Sequence, residues 1–510
     1  MNIKRTMRRS GSRVPSLSFR AFALAGCLLM LGANVSKPVM TDPAISDAIE
    51  SHYISDTVVP FNDVRVSTSN GIVTLTGTVT NLQAKDRAAR IAMTIKGVRS
   101  VVNNLKVKPY WNRTDGEIQA DVEKALHQDP ATDSWSIKVA VNHNKVTLTG
   151  TVNSWQQRKL ARNVVEGVRG VKAVKNKIDV APRPHRADSR IKADVQNTLQ
   201  SDVRVDNGLI SVSVNHGDVT LSGVVGSAAE RAQAVIDSWV TGVQAVDDSD
   251  LKVKRWARDA DLRADKYVVK SDKAIRKAVL AAMAYDPRVA SFEVNPSVTN
   301  GAVTLHGTVD NLKARRAAAS DARDTVGVIS VTNLIRVQPA TKVKDSVVTK
   351  NVKQALKRDP IIEPYDVTVV TVNGTVNLYG MVNTYFEKAQ AEDDTARVMG
   401  VKKVENHITV SNTNNLLAYN PYVDKWNPAD SKWYNGVTTT TRKPDASIES
   451  NIKEEFYWSP FVDGDDVNVS VKNGVATLTG VVHSHSERKD ATQNALEGGA
   501  IKVINKLKVM

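Results

Sequence analysis

Cysteine is almost absent from this chain of 510 residues, and the single copy, Cys27, lies near the amino terminus. One cysteine cannot form an internal disulfide, nor can it supply the cysteine clusters of structural zinc sites. Aromatic residues are also scarce, at 5% of the chain. Hydrophobic cores must therefore be built from small side chains such as valine and alanine, and folding must depend on packing alone.

The chain also lacks any apolar run long enough to cross a bilayer as a helix. The run at residues 21–33 follows a basic start and precedes polar sequence, which is the layout of an export signal. We expect residues 1–33 to be removed near Ala33, leaving a periplasmic protein. Residues 24–27 also match the lipobox of bacterial lipoproteins, so lipidation of Cys27 is the alternative.

Motifs of catalysis and nucleotide binding are missing as well. The chain contains no phosphate-binding glycine loop, nucleophile elbow or paired-carboxylate motif. His483 and His485 lie two residues apart, but no third ligand is nearby in sequence and zinc sites need three or four. His143 and His216 fall in predicted hairpin turns. The sequence therefore predicts a protein that is not an enzyme and has no cofactor and no metal site.

One phrase, GIVTLTGTV at residues 71–79, returns five more times in modified form. Its second glycine recurs at Gly77, Gly150, Gly223, Gly307, Gly380 and Gly480, at intervals of 73, 73, 84, 73 and 100 residues. Such self-similarity is the signature of tandem domains. We predict six repeats, called repeats 1 to 6 below, at residues 42–109, 114–182, 187–255, 270–339, 344–412 and 444–510.

Each repeat contains the same succession of local signals. In repeat 1, an apolar stripe from Ile45 to Tyr53 predicts a helix, with Asp42 as its cap. Two strands follow, joined by a tight turn at Asn70 and Gly71 that needs positive φ. A second helix and a last strand complete the unit. The order αββαβ predicts an α+β fold: small two-layer domains, each with a three-stranded mixed sheet covered by two helices.

The second helix of every repeat is preceded by a capping residue. These residues are Asn81, Ser154, Ser227, Asn311, Thr384 and Ser484. In the four repeats with serine or threonine, a glutamine or glutamate three positions later predicts a reciprocal capping box. The glycines have structural roles in this scheme: Gly71 makes the turn, and Gly77 and its equivalents allow a close backbone approach beside the cap of the second helix.

Together these residues resemble the BON domain family of bacterial envelope proteins. The resemblance rests on an apolar helix, V-x-V, Asn-Gly, VTLTG, a capped helix and a final GV-x-x-V-x-N-x-L-x-V strand. It covers about residues 42 to 510 apart from linkers. Repeat 3 departs from it, with VDDSDLKV where asparagine is expected. The resemblance implies an exported location, attachment to phospholipid membranes and a role in osmotic or envelope stress.

Nine basic residues on the helices and one tryptophan are the candidates for such attachment. They are Trp155, Arg158, Lys159, Lys273, Arg276, Lys277, Arg315, Arg316, Arg488 and Lys489, where Trp155 supplies an amphipathic ring suited to a headgroup interface. Each cation near an anionic surface contributes ~1 kcal/mol, so several repeats acting together would bind an anionic phospholipid membrane. An ordinary solvated helix face is the alternative for each residue.

Two further alternatives concern partners. The alternative function is that of a soluble periplasmic chaperone-like or scaffold protein that binds other proteins, possible partners being envelope proteins. Nucleic acid is not expected, because the protein is exported and no basic block exceeds a few residues. The linker at residues 413–443 is rich in tyrosine and tryptophan; its rings either pack on adjacent repeats or form an exposed contact surface.

Overall fold

The computed structural model describes residues 40–510 except 57, 111, 130–131, 133–135, 183–185, 259–269, 291, 364–365, 412–443 and 510. The predicted export signal at residues 1–33, Cys27 and the aromatic linker at 413–443 lie outside the described residues. Residues 40–510 form one compact unit that contains all six repeats.

The described residues form pairs of helices, two to each repeat. They are α1 Asp42–Ser55, α2 Leu82–Met93, α3 Asp115–Gln128, α4 Trp155–Glu166, α5 Asp188–Ser201, α6 Ala228–Asp237, α7 Asp272–Tyr285, α8 Leu312–Arg323, α9 Asp345–Arg358, α10 Tyr385–Ala396, α11 Asp445–Trp458 and α12 His485–Glu497.

The strands follow the same division. Repeats 1 to 3 contain β1 Val64–Ser69, β2 Ile72–Val79, β3 Ser100–Asn103, β4 Lys106–Val107, β5 Ile137–Asn142, β6 Lys145–Val152, β7 Ala173–Val180, β8 Ile210–Asn215, β9 Asp218–Val225 and β10 Ala245–Val253. Repeats 4 to 6 contain β11 Val294–Thr299, β12 Ala302–Val309, β13 Ser330–Asn333, β14 Arg336–Val337, β15 Val367–Val372, β16 Thr375–Val382, β17 Lys403–Asn406, β18 Thr409–Val410, β19 Val467–Lys472, β20 Val475–Val482, β21 Lys502–Asn505 and β22 Lys508–Val509.

Every repeat has the predicted mixed sheet. In repeat 1, β1 pairs antiparallel with β2, and β2 pairs parallel with β3 and β4. The last strand is thus interrupted in repeat 1, as it is in repeats 4, 5 and 6, whereas β7 and β10 are continuous. In repeat 3 a bulge lies between Asp247 and Asp250. The sequence departure in repeat 3 is therefore absorbed by this bulge, and the sheet is kept.

The helices cover one face of each sheet, and the core lies between these layers. In repeat 1, Val73 and Leu75 are fully buried and pack with Ile49 and Tyr53 of α1. The Tyr53 hydroxyl donates to the Ala88 carbonyl at 2.7 Å. Alternate strand residues point away from the helices and are exposed or half-buried. The period-two pattern therefore fixes which sheet face is buried.

The predicted cap at Asp42 is wrong. The side chain of Thr41 caps α1 by accepting the Ala44 N–H. Asp42 is the first helical residue, and its carboxylate accepts the N–H groups of Asn70 and Gly71 at 2.7 and 2.8 Å. The first aspartate of the first helix holds the hairpin turn in this way in all six repeats.

The glycines of the repeated phrase lie at a turn and at a close backbone approach. Asn70 and Gly71 have φ of 50° and 72°, which confirms the turn. Gly77 has φ of 117°, and a Cβ there would lie 2.0 Å from the carbonyl oxygen of Asp63. The close approach is therefore made to the residue that precedes β1.

The predicted caps of the second helices are confirmed in all six repeats. The reciprocal bond to the cap itself forms only in repeat 5, between Thr384 and Glu387. In repeat 3, Glu230 instead accepts the N–H groups of Gly226 and Asp206. Each carboxylate oxygen of Glu230 therefore accepts one backbone N–H from outside α6, and these bonds connect the start of the helix to the loops before it.

The first residue of the second helix packs into a neighbouring repeat. Leu82 of repeat 1 lies in the core of repeat 2, Trp155 of repeat 2 packs against the core of repeat 3, and Ala228 of repeat 3 lies in the core of repeat 1. These three contacts close a cycle. Leu312 of repeat 4 enters the core of repeat 5 in the same way.

A second kind of contact pairs repeats of the two halves. The backbone N–H of the residue that precedes Gly97, Gly170 or Gly327 donates to the carbonyl of the last residue of a first helix. These bonds run from Lys96 to Trp458 at 3.0 Å, from Arg169 to Arg358 at 2.6 Å and from Val326 to Ser201 at 2.8 Å. Repeat 1 therefore meets repeat 6, repeat 2 meets repeat 5, and repeat 3 meets repeat 4. The donor and the acceptor occupy the same positions of their repeats in all three bonds, so the three junctions are built in the same way.

Candidate functional site

The outer faces of the sheets are similar in backbone but differ in charge. In repeat 2 four lysines point outward and are exposed: Lys138, Lys145, Lys175 and Lys177. Lys138 and Lys177 both flank Thr149 on the central strand, so they lie about 10 Å apart. A single exposed carboxylate, Asp179, shares this face. We call these four lysines the lysine face.

Other repeats present different chemistry on the same face. Repeat 6 carries Lys472, Lys502 and Lys508, whereas repeat 3 carries Asp218, Asp247 and Asp250. Repeat 5 is apolar there, with Val370, Val372, Tyr379 and Met381 exposed. The differences between the repeats thus lie on positions that the core does not constrain.

Three of the nine candidate cations are held inside their own repeats. The guanidinium groups of Arg158, Arg315 and Arg488 donate to the carbonyls of Asn176, Asn333 and Asn505. Each asparagine side chain donates back to the carbonyl of the same arginine, at 2.7 to 2.9 Å. The Arg–Asn pair therefore fastens the last strand to the second helix.

Repeat 3 lacks this asparagine, and a different pair fastens its last strand to its second helix. Arg231 there bonds the carboxylate of Asp248 at 2.6 Å and the Asp248 carbonyl at 2.8 Å. The aspartate run that breaks the sequence pattern thus replaces the missing amide. The repeated arginine and asparagine were visible in the sequence, but their spatial pairing was not predicted.

Four other candidates lie on exposed helix surface. Lys273, Arg276 and Lys277 are exposed on α7, where the Arg276 guanidinium donates to the Pro296 carbonyl at 2.9 Å. Arg316 of repeat 4 is exposed and forms an ion pair with Glu392 of repeat 5. Arg316 therefore also contributes to a junction between repeats.

The remaining candidates, Trp155, Lys159 and Lys489, border a cavity. This cavity has a volume of about 710 Å³ and lies between repeats 3 and 4, with α4 of repeat 2 and α12 of repeat 6 at its sides. Lys277 also borders it. We call it the central cavity.

The Trp155 ring is stacked on Trp239 of repeat 3. The ring centroids are 4.8 Å apart and the planes differ by 6°. The Lys159 ammonium lies over the Trp155 ring, 4.9 Å from its centroid. Trp239 was not singled out in the sequence, because its partner is on another repeat.

Charge in the central cavity is unevenly compensated. Arg204 of repeat 3 bridges Asp324 of repeat 4 and Asp490 of repeat 6, at 3.3 and 3.2 Å. Burial raises the pKa of Asp490 to about 6, although Arg204 opposes this shift. Burial, with Arg90 and Arg288 nearby, lowers the pKa of Lys159 to about 8. Removing these groups from water therefore costs free energy that the protein only partly recovers.

Within the described ranges, no group of three or more histidine, cysteine, aspartate or glutamate side chains is placed to hold a metal ion. The backbone N–H of His483 donates to the Glu487 carboxylate at 2.8 Å. Within residues 40–510, outside the gaps given above, none of the helices combines the length and apolarity that a bilayer span requires.

Several known proteins are similar to parts of this chain. "Osmotically-inducible protein Y" of Escherichia coli (strain K12) is 29% identical over 143 residues, which are 27% of this chain and 71% of that protein. "Outer membrane lipoprotein DolP" of Haemophilus influenzae is 34% identical over 138 residues, 26% of this chain and 71% of that protein. A solved structure, the C-terminal domain of CdsD, a structural protein of the Type III secretion system of Chlamydia trachomatis, is 18% identical with a TM-score of 0.13, covering 45% of this chain and 100% of that one.

The family model "BON domain" matches the chain six times. The matched residues are 41–109, 114–182, 187–255, 271–339, 344–412 and 444–510. Because these matches take in most of the chain, the protein belongs to the BON domain family.

Proposed function

We propose that this protein is an exported component of the bacterial envelope that binds anionic phospholipid surfaces through the lysine face of repeat 2. The observation that carries the proposal is the concentration of four exposed lysines and one carboxylate on one sheet. Family membership and the envelope and osmotic terms in the relatives' names support it. Its role would be to support the envelope under osmotic or envelope stress, without catalysis.

The lysine face suits a surface of phosphate headgroups. A sheet is flat on the scale of several headgroups, and all four side chains extend from the same side of it. Each lysine near an anionic membrane contributes about 1 kcal/mol, which falls off within a Debye length. Repeat 6, with three outward lysines, supplies a second and weaker contact. Binding of both would combine through effective concentration.

In this proposal, the candidate cations on exposed helix surface make additional contacts with the membrane. Lys273, Arg276 and Lys277 extend from α7 without an ion pair to a described residue. Arg158, Arg315 and Arg488 are engaged with carbonyl oxygens of their own repeats, so we assign them a smaller share of binding. Anchoring through a lipid on Cys27 is the alternative means of membrane attachment.

Sedimentation with vesicles tests this proposal. The protein without residues 1–33 is mixed with vesicles that contain phosphatidylglycerol, or with vesicles of phosphatidylcholine alone, at two salt concentrations. We expect binding to the anionic vesicles alone, weakened at high salt. Replacement of Lys138, Lys175 and Lys177 by glutamine should weaken binding on the order of 100-fold, from about 1 kcal/mol for each charge.

The matched control removes the same charge from three other sheet faces. Lys106, Lys252 and Lys403 are exposed on repeats 1, 3 and 5, and their replacement by glutamine should change affinity much less. Equal losses for the two triple variants would contradict a site on repeat 2. Absence of binding to anionic vesicles at low salt would overturn membrane attachment altogether.

A second function is favoured by the apolar sheet face of repeat 5. Val372 is 55% exposed and Met381 is 61% exposed, and Tyr379 stacks on His407 with centroids 5.0 Å apart. A periplasmic chaperone-like or scaffold protein would use such a face to bind unfolded or partner proteins. Suppression of client aggregation that is lost in Val372→Lys, with no vesicle binding, would favour this function over the first.

A further inference from the structure

The central cavity differs from the equivalent junction between repeats 2 and 5. A cavity of about 50 Å³ lies at that junction, whereas the central cavity has a volume of about 710 Å³. Lys124 and Gln354 meet across the smaller junction, and Arg358 bonds Gln128 across it at 2.6 Å. At the central cavity the repeat-equivalent residues are Asn197 and Ala281, which have shorter side chains than Lys124 and Gln354 and line the cavity. The bond across the smaller junction therefore has no counterpart from these two positions.

The size and lining of the central cavity suit a small organic ligand. Its volume lies within the range of ligand pockets, ~300–1,000 Å³. One wall is formed by alanines of α7, namely Ala274, Ala278, Ala281 and Ala282, and Ile236 and Leu160 also border it. An apolar body would displace water from this wall with a gain in free energy.

One cation in the central cavity has no anionic partner. Within the described part of the chain, the Lys159 ammonium forms no hydrogen bond or ion pair, and its contact is the Trp155 ring at 4.9 Å. Asp86 favours its charge from a distance, while Arg90 and Arg288 oppose it. Arg288 is already engaged by Asp286. A ligand anion beside Lys159 would therefore restore a missing interaction.

Two buried polar atoms at the same cavity also lack partners among the described residues. They are Oδ2 of Asp321 and Nε1 of Trp239. Trp239 is only 7% exposed, so its indole N–H has no access to bulk water. Burial, with Asp286 nearby, raises the pKa of Asp321 well above its ordinary range. Buried polar atoms are normally satisfied, and here a bound molecule would do so.

We propose that the central cavity binds a small organic acid, with its carboxylate at the Lys159 ammonium and its apolar body against the alanine wall of α7. The ligand would contact repeats 2, 3 and 4 at once and would stabilise their junction by mass action. This site is distinct from the lysine face, and it neither requires nor excludes membrane binding.

Isothermal titration calorimetry of the full chain with 1-naphthoate and with hexanoate tests the proposal. We expect saturable one-to-one binding of at least one acid, accompanied by a change in tryptophan fluorescence. The uncharged analogues 1-naphthylmethanol and hexanol should bind at least about tenfold more weakly, since the interaction with Lys159 is lost. Equal affinity of acid and alcohol would contradict the assigned carboxylate site.

Two variants and one control separate the cavity from other surfaces. Lys159→Met keeps the stem that packs on Trp155 and should weaken acid binding at least about tenfold. Ala281→Leu should reduce binding by filling the cavity while retaining every charge, so it provides an independent test if Lys159→Met folds poorly. Lys138→Met, on the lysine face, should bind the acids like wild type. Absence of binding by wild type at millimolar acid, or unchanged binding by Ala281→Leu, would overturn the proposal.

Discussion

The backbone N–H of Arg169 donates to the carbonyl of Arg358 over 2.6 Å, which joins repeat 2 to repeat 5 across 189 positions of sequence. The Arg169 side chain strengthens the same junction, since its Nη2 donates to the carbonyls of Asp359 and Ile362 at 2.9 and 2.6 Å. One arginine therefore satisfies carbonyls that the end of α9 leaves without helical partners.

Arg169→Ala should loosen the junction between repeats 2 and 5. Bonds from a charged donor contribute about 1.5–3 kcal/mol each, and the freed carbonyls would be left only partly solvated. We expect faster hydrogen exchange of the Ile361 and Ile362 amides, which donate to the Asp359 carboxylate in the adjoining turn. Arg99→Ala is the control, because Arg99 bonds a carbonyl of its own repeat. Similar exchange in both variants would contradict the assignment.

Asp345→Ala should release the hairpin turn of repeat 5. The carboxylate accepts the N–H of Asn373 at 2.7 Å and that of Gly374 at 3.0 Å. Loss of both bonds should accelerate exchange of these two amides about tenfold, on the basis of roughly 1.5 kcal/mol. Asp345→Asn retains one acceptor oxygen, so only one amide should accelerate. If Asp345→Ala leaves both amides protected, the turn is held by other means.

The same carboxylate contact makes the hairpins sensitive to acid. The N–H groups of Asn144 and His143 hold the pKa of Asp115 below its ordinary value in repeat 2. A depressed pKa in the folded state adds stability above the unfolded pKa, about 3.9, which is lost as the pH falls through the folded value. Amide protection at Asn144 should therefore persist at pH 5 and fall at more acidic pH. Protection in Asp115→Asn should depend less on pH.

Removal of either ring of the Trp155–Trp239 stack should weaken the junction between repeats 2 and 3. Parallel indoles 4.8 Å apart couple electronically, so the near-ultraviolet circular dichroism should lose the same feature in Trp155→Ala and in Trp239→Ala. Truncating the buried Trp239 should cost about 3 kcal/mol. Trp256→Ala, at a ring that is 58% exposed, should leave the feature intact. Its loss in that control would assign the signal elsewhere.

Stability near neutral pH should depend on Glu166. Burial and the neighbouring Asp86 of repeat 1 raise the pKa of Glu166 to about 7 from its ordinary 4.5, while Arg162 at 2.6 Å opposes the shift. The folded protein therefore binds an additional proton between these two values, and stability falls as the pH rises from 4.5 to 7. The change is on the order of 2 kcal/mol.

Glu166→Gln isolates this group, because the amide can still accept from Arg162 and can donate to Asp86 at every pH. Melting temperatures of wild type and variant should be measured at intervals between pH 4.5 and 8. The difference between them should favour the variant increasingly as the pH rises. Parallel curves would show that Glu166 does not titrate in this range.

Much of each repeat could be predicted from short-range sequence. The alternation of Val73 and Leu75 with threonines, the turn at Asn70 and Gly71, and the cap at Asn81 all act within a few residues. Their structural consequences are therefore local and recur wherever the pattern recurs. The role of Asp42 was missed because its carboxylate acts 28 and 29 residues away, although its recurrence at the first helical position was a usable signal.

The candidate sites were less accessible to sequence reasoning. Lysines such as Lys138 and Lys177 are far apart in sequence and share a face only through strand pairing. Helix cations that looked equivalent have different environments, since Arg158 bonds within its repeat while Lys159 borders a cavity. A helical pattern gives the direction of a side chain, but the identity of its neighbour depends on the next repeat.

Short-range sequence patterns predict the domain, its number of copies and its buried sheet face, because periodic apolar residues, turns and caps act over short distances. Which repeats contact each other depends instead on the packing of distant helices. Gln128 and Arg358 bond across the junction of repeats 2 and 5 beside a cavity of about 50 Å³, whereas Ser201 and Tyr285, at the equivalent positions, border the central cavity of about 710 Å³. Side-chain length at such contacts matters only once two distant helices have been brought together, and no local pattern contains that information.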